Sequence, residues 1–210
     1  MLRKVSFLIS FVLVMLGGVL PLQATETRTL DYVPKEVSVF GRTVSTYVPS
    51  DWQLAAAREK VTDNTYLMEL LPRGQAVNAW QEMITILGYK DAEASPREFF
   101  TVIYATQKAI CIEGNVAAEV LHDTPDVLIA LLMCGEVKPE AMGTSGLQEG
   151  QGEMMFYRLQ KRDDDLYLIF KSWRGAGYDV EAMDIEGALP ATLDSIAEYN
   201  FVLRRSFVSR

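Results

Sequence analysis

Apolar and polar residues alternate along several short runs of the chain, and these runs predict β-strands. Alternating valines on both sides of Phe40-Gly41-Arg42 predict a hairpin that turns at Gly41. The same reasoning places further strands at residues 66–71, 83–87, 116–121, 127–134, 153–161 and 166–173. Residues 53–60 fit two descriptions, because Ala55, Ala56 and Ala57 favour a helix, whereas Trp52, Leu54 and Ala56 alternate as in a strand. We adopt the strand.

Two segments have the pattern of helices. Ser95, Pro96 and Glu98 form a helix start, with a capping serine, a proline in the first turn and a glutamate three residues after the cap, and predict a helix over residues 96–110. A second helix is predicted over residues 189–203, with Pro190 in its first turn. Residues 135–152 lack periodicity and predict a surface loop. The elements together predict an α+β domain in which an antiparallel β-sheet is covered by two main helices.

The first 24 residues have the layout of an export signal. Arg3 and Lys4 precede a long apolar stretch, and small residues end it near Ala24. We expect a signal peptide at residues 1–24, a flexible leader at residues 25–35 and a single domain at residues 36–210. An uncleaved membrane anchor is the alternative, since the stretch approaches the length that spans a bilayer. Cleavage after Ala24 would leave no segment for membrane insertion and would place the protein in the periplasm or outside the cell.

The chain has two cysteines, Cys111 and Cys134. An exported pair of thiols meets an oxidising compartment, which predicts one intramolecular disulfide between them. Two buried free thiols are the alternative. The spacing is not that of a C-x-x-C redox motif, so a thiol oxidoreductase is not indicated.

Composition narrows the classes of function. The formal net charge is −8, and the sequence contains a single histidine, His122. An acidic chain lacks the basic patch that binding to nucleic acid needs. With both cysteines bridged, too few ligands remain for a zinc site, and there is no phosphate-binding glycine motif. Residues 163–165, three aspartates, are interpreted as an exposed turn and not as a calcium loop. The sequence therefore predicts no metal and no cofactor, and it favours a protein that is not an enzyme without deciding the question.

One cluster of residues suggests a binding surface. Trp173, Arg174 and Tyr178 lie where a strand enters a glycine-rich loop, and Trp80 begins another strand. Indole and guanidinium groups are typical interface anchors, so these four residues are candidate binding residues. The alternative is that the tryptophans only fill the edge of the core.

A resemblance adds to this description. Residues 71–75 (LPRGQ) leading into residues 80–85 (WQEMIT), with a later helix, two cysteines and a closing hairpin, resemble small secreted proteins of Gram-negative bacteria. The order of elements is also similar to the α-β-α sandwich of the PsbP-like family. The resemblance implies an accessory or binding module and transfers no site residue.

These observations favour an exported, non-catalytic binding or assembly accessory protein of the bacterial envelope, whose partner is a protein or an envelope component. A carboxylate-based hydrolase of an envelope polymer is the alternative from another class, motivated by the 28 acidic residues. A secreted protein that contacts a host is a third hypothesis. The sequence makes no prediction of oligomeric state.

Overall fold

The computed structural model describes residues 31–142, 146–183, 185 and 187–209, without the side chains of residues 56–61 and 193. The expected signal peptide, residues 25–30 of the expected leader and the Gly143-Thr144-Ser145 segment lie outside the described residues. The described strands are β1 (Tyr32–Val39), β2 (Arg42–Pro49), β3 (Trp52–Val61), β4 (Thr65–Pro72), β5 (Glu82–Tyr89), β6 (Val116–Asp123), β7 (Val127–Cys134), β8 (Gln151–Arg162), β9 (Asp165–Ala176) and β10 (Phe207–Val208). The helices are α1 (Pro96–Ile110) and α2 (Leu193–Arg205), with a short 3-10 turn at Pro139–Ala141.

The strands form two antiparallel sheets. The larger sheet has the order β3-β4-β5-β9-β8-β7-β6, and the smaller one has the order β1-β2-β10. Helix α1 packs on one face of the larger sheet through Phe100, against residues such as Leu128 and Leu159. Helix α2 and the smaller sheet cover the other face, where Tyr199 and Val44 join the main core. The predicted α+β class, with an antiparallel sheet and two helices, is confirmed.

Local signals positioned several elements correctly. The Ser95 hydroxyl accepts a hydrogen bond from the backbone N–H of Glu98, and the Glu98 carboxylate accepts one from the Ser95 backbone, so α1 begins where the capping box predicts. Phe40 and Gly41 connect β1 to β2 with φ values of 52° and 78°, the left-handed pair that a two-residue hairpin turn requires. The segment at residues 53–60 is a strand, part of β3.

Cys111 and Cys134 form the expected disulfide, with their Cα atoms 5.7 Å apart. Cys111 is the C-terminal cap of α1, and Cys134 is the last residue of β7. The bridge therefore ties the end of the helix to the sheet on which it packs.

Three boundaries differ from the sequence interpretation. Strand β1 begins at Tyr32, inside the expected leader, because an edge strand tolerates Pro34 without losing a ladder hydrogen bond. Helix α2 begins at Leu193 and not at residue 189, because Thr192 and Ser195 form a reciprocal cap at that point. The segment 135–152 is not simply a surface loop. Three of its apolar side chains are buried together: Val137, Ala141 and Leu147.

Among the described residues, no helix is both long and apolar enough to cross a bilayer.

Candidate functional site

Trp173, the first of the predicted binding residues, is fully buried. Its ring lies on the face of the sheet that α2 covers, with the Tyr199 ring 6.0 Å away in an edge-to-face arrangement. A partner cannot reach this indole unless the sheet opens, so Trp173 is a core residue and not a surface anchor. The reason is that Trp173 points to the face of the central strand β9 that α2 covers, whereas its neighbours Ser172 and Arg174 point to the opposite face.

Tyr178 is also buried, and its contacts are structural. Its hydroxyl donates a hydrogen bond to the backbone carbonyl of Glu153 at 3.1 Å, and its backbone N–H donates to Gly135 at 2.9 Å. Burial, with a smaller contribution from the Glu153 carboxylate, raises the pKa of the Tyr178 phenol above its ordinary value. The phenol therefore stays protonated and joins β8 to the loop after β9. It offers no binding surface.

Trp80 and Arg174, the remaining two predicted residues, are brought together. The Arg174 guanidinium lies over the Trp80 ring, 3.9 Å from its centroid. It also donates a hydrogen bond to Glu153 at 3.1 Å and another to the carbonyl of Gly146 at 3.1 Å. Arg174 thus connects the loop before β5, strand β8 and the loop before β8.

The Gln75 side chain bonds to the backbone at the end of the loop that carries Trp80. The Gln75 side-chain oxygen accepts hydrogen bonds from the backbone N–H groups of Gln81, at 2.8 Å, and Glu82, at 3.3 Å. Gly74 supplies the positive φ of 93° that lets the chain turn after β4. The Trp80 ring packs against a small buried cluster that includes Met83. The position of Trp80 is therefore fixed by both ends of its loop.

Trp80 and Arg174 line a cleft of about 690 Å³ on the face of the larger sheet that carries α1. We call it the Arg174 cleft. Its floor is formed by side chains of four neighbouring strands, and its rim by the loops before β5 and β8. The lining includes Glu69, Thr85, Glu153 and Ser172 on the floor and Trp80, Gln81 and Arg174 at the rim.

The floor of the Arg174 cleft is polar although the sheet around it is apolar. Glu69, Thr85, Glu153 and Ser172 are each less than one-tenth exposed. Polar side chains buried in a sheet cost stability unless they are satisfied, so such a group at one place is unusual. Sequence reasoning missed all four. The available signal was a polar residue in the interior of a mostly apolar strand, as for Glu69 in TYLMELLP and Thr85 in EMITILGY.

The two buried carboxylates of the cleft are far apart. Glu69 pairs with Thr85, Thr85 with Phe170, and Phe170 with Tyr157, which lies four residues from Glu153 on β8. At the usual spacings in a sheet, three strand intervals are about 14 Å and four residues about 13 Å, so the two Cα atoms lie about 19 Å apart. Side chains stand roughly perpendicular to a sheet and do not close this gap. Glycoside hydrolysis needs two carboxyl groups within about 5–9.5 Å, so Glu69 and Glu153 do not form such a pair.

On the opposite face, a lysine is buried among aromatic rings. Lys171 is 1% exposed, and its ammonium lies 2.8 Å from a Glu82 carboxylate oxygen. The Trp52 and Trp173 ring centroids are 5.1 and 4.8 Å from that ammonium. Burial lowers the pKa of Lys171, and the Glu82 carboxylate opposes this effect only in part. The rings around this ammonium come from β3, β9 and α2, so the cluster joins α2 to the sheet on the face opposite the Arg174 cleft.

The other polar candidates are at the surface. His122 is exposed in β6, next to a register shift. Asp163 lies in the turn between β8 and β9 with a positive φ of 50°, and its carboxylate pairs with Arg42. This ion pair links the turn to the smaller sheet.

No protein-family model and no curated protein matches the chain. Among solved structures, the Saccharomyces cerevisiae Ran-binding protein Mog1p is similar, with 16% identity, a TM-score of 0.49 and coverage of 84% of this chain and 96% of that one. A point mutant of protein Mog1 gives 16% identity, a TM-score of 0.49 and coverage of 83% and 95%. A protein from Bacteroides thetaiotaomicron gives 12% identity, a TM-score of 0.34 and coverage of 75% and 53%. At these values the likeness assigns neither a family nor a site residue to this chain.

Proposed function

We propose that the chain is an exported, non-catalytic binding or assembly accessory protein of the bacterial envelope and that the Arg174 cleft is its binding site. The observation that carries this proposal is the group of buried polar side chains on the cleft floor. The volume of the Arg174 cleft, about 690 Å³, lies within the range of about 300–1,000 Å³ that is common for small-ligand sites. Apolar wall residues and a few fixed polar groups are the usual composition of such sites.

Export is supported by the layout of residues 1–24 and by the disulfide, which suits an oxidising compartment. The periplasm and the cell exterior are both consistent with these features. A PsbP-like architecture is part of the same proposal, since helices and a second sheet cover the two faces of the larger sheet.

The edges of the larger sheet favour the cleft as the binding site. Strand β6 has a register shift between Val120 and His122, and β3 has one between Leu54 and Glu59. Irregularities of this kind twist an edge strand and hinder the addition of a further strand. At the larger sheet, a partner that binds by strand pairing is therefore less suited than a ligand that enters the cleft.

The hydrolase alternative has less support. Two buried acids in one cleft are the arrangement that would favour it, but the strand register separates Glu69 and Glu153 by about 19 Å. Arg174 also neutralises Glu153 at 3.1 Å.

Cross-linking in the native host tests the proposal. A photoreactive amino acid at Gln81, an exposed residue of the cleft rim, is compared with the same amino acid at Glu119, an exposed residue of β6 away from the cleft. We expect a discrete adduct from Gln81 and none from Glu119. We also expect that N-terminal sequencing of the chain isolated from the host begins at Thr25. Equal labelling from the two positions, or an unprocessed N-terminus, would contradict the proposal. An adduct formed only with host-cell material would select the host-contact hypothesis instead.

A further inference from the structure

Two hydroxyl groups on the floor of the Arg174 cleft have no partner within the protein. Thr85 is 3% exposed and Ser172 is 2% exposed, and both residues line the cleft. In the part of the chain that the structure describes, no hydrogen bond joins either hydroxyl to another residue. Neither hydroxyl oxygen is among the fully buried unpaired atoms of the described residues, so both are open to the cleft, where a group supplied from outside can bond them.

The hydroxyls belong to a short polar row. Thr85 on β5 pairs with Phe170, and Ser172 on β9 pairs with Met83, so the two residues are diagonal neighbours about 7 Å apart. Arg174 follows two residues after Ser172 on the same face, and Glu153 is its partner across the strands. One ligand can therefore contact both hydroxyls and the Arg174–Glu153 pair at the same time.

The chemistry of the row restricts the ligand. A hydroxyl both donates and accepts, and it therefore suits ligand groups that do the same. An anionic ligand would meet the Glu69 and Glu153 carboxylates, with Arg174 as the single cation among the described lining residues, in a chain of net charge −8. A cationic ligand would compete with Arg174, which already binds Glu153 at 3.1 Å, and Glu69 is also engaged within the protein. A neutral ligand that carries several hydroxyls avoids both conflicts.

We propose that the Arg174 cleft binds an uncharged saccharide segment, with Thr85 and Ser172 as the residues that bond its hydroxyls. This rests on the proposed function and names the ligand class for the same site. The Arg174–Glu153 pair adds fixed donors and acceptors at the end of the row. Gln81 and the Trp80 edge at the rim would contact the ends of the saccharide.

The test is an array of neutral, acidic and amino oligosaccharides, probed with the processed, oxidised protein and followed by calorimetry. We expect neutral oligosaccharides to bind at least about tenfold more tightly than acidic or amino ones of the same length. The variant Thr85→Val/Ser172→Ala keeps the shape of the floor and removes both hydroxyls. It should lose at least about tenfold in affinity while its melting temperature is unchanged or higher, since neither hydroxyl leaves a protein partner unpaired.

Thr46→Val is the matched control. Thr46 is equally buried, but its hydroxyl shares a hydrogen bond of 2.8 Å with Ser206 and lies far from the cleft. This variant should lower the melting temperature and leave saccharide affinity unchanged. A role of the hydroxyls in stability alone would give the opposite pattern for Thr85→Val/Ser172→Ala, with a lower melting temperature and unchanged affinity.

Three results would overturn the saccharide proposal: no binding across the array, charged oligosaccharides that bind as well as neutral ones, or unchanged affinity in Thr85→Val/Ser172→Ala. A peptide adduct from Gln81 in the host would also overturn it but would leave the proposed function intact. If the photoreactive amino acid at Gln81 formed no adduct in the host, that result would count against the proposed function itself. Failure of the saccharide proposal can therefore be distinguished from failure of the proposed function.

Discussion

The buried pair of Lys171 and Glu82 leads to an asymmetric prediction about stability. We consider Glu82→Gln, Lys171→Met and the double variant. Lys171 is 1% exposed and its partner carboxylate, 2.8 Å away, belongs to a side chain that is 23% exposed. Removing the carboxylate leaves an ammonium in the core, whereas removing the ammonium leaves a carboxylate that water can reach.

The magnitudes follow from the balance between attraction and desolvation. At 2.8 Å and an effective dielectric constant of about 20, the gross attraction between the two charges is about 6 kcal/mol. Desolvation costs several kcal/mol per ion, and burial outweighs Glu82 in setting the pKa of Lys171 below its ordinary value. Glu82→Gln should therefore lower the free energy of unfolding by about 3 kcal/mol. Lys171→Met should change it by less than about 1 kcal/mol, since an unbranched apolar chain can fill the same space among the rings.

Urea unfolding of the oxidised protein, followed by tryptophan fluorescence, measures the effect. The dependence of the free energy on urea should be the same in all variants, so that midpoints can be compared directly. The double variant should recover most of the stability that Glu82→Gln loses, because the buried ammonium is gone. A Lys171→Met variant that loses as much as Glu82→Gln, or a double variant no more stable than Glu82→Gln, would refute this reasoning.

Three further predictions concern hydroxyl partners, the disulfide and alkaline pH. Thr46→Val should cost about 1 kcal/mol in the free energy of unfolding, whereas Thr85→Val should cost nothing; equal losses in urea unfolding would contradict the assignment of their partners. Reducing the disulfide, which joins residues 23 positions apart, should lower the free energy of unfolding by about 3.4 kcal/mol in the chain-entropy model, and an unchanged urea midpoint under reductant would contradict it. Burial raises the pKa of Tyr157 and Tyr199, so the folded state keeps protons that the unfolded state releases near pH 10. Stability contributed by each is complete below that pH and should fall by about 1.4 kcal/mol per pH unit above it. Tyrosinate absorbance that reaches the value for all nine tyrosines before the protein unfolds would show that these two phenols are not buried.

Elements with local signals could be predicted from the sequence. The start of α1 depends on Ser95 and Glu98, which are three residues apart, and the first hairpin depends on Phe40 and Gly41. The disulfide was predicted from a count of two cysteines and from the expected export of the chain. Each of these features is decided within a few residues or by composition, so tertiary packing was not needed.

The candidate site could be predicted only in part. Trp80 and Arg174 were found as an aromatic and a basic residue, but their contact at 3.9 Å depends on two strands adjacent in space and distant in sequence. Trp173 was misplaced because a run of alternating residues does not show which face of β9 the helix α2 covers and which face carries the cleft. Thr85 and Ser172 were missed for the same reason. Their unpaired hydroxyls become visible only when the register of β5 and β9 is known.

The central claim is that the Arg174 cleft is a ligand site. The most direct measurement is a fragment screen by amide chemical-shift mapping on isotopically labelled, oxidised protein, with small uncharged fragments that carry hydroxyl or amide groups. The account predicts that bound fragments shift the amides of Thr85, Ser172 and Gln81 and leave Glu119 and the strands of the smaller sheet unchanged. Fragments that bind elsewhere, or a cleft that takes none while other surfaces do, would contradict it.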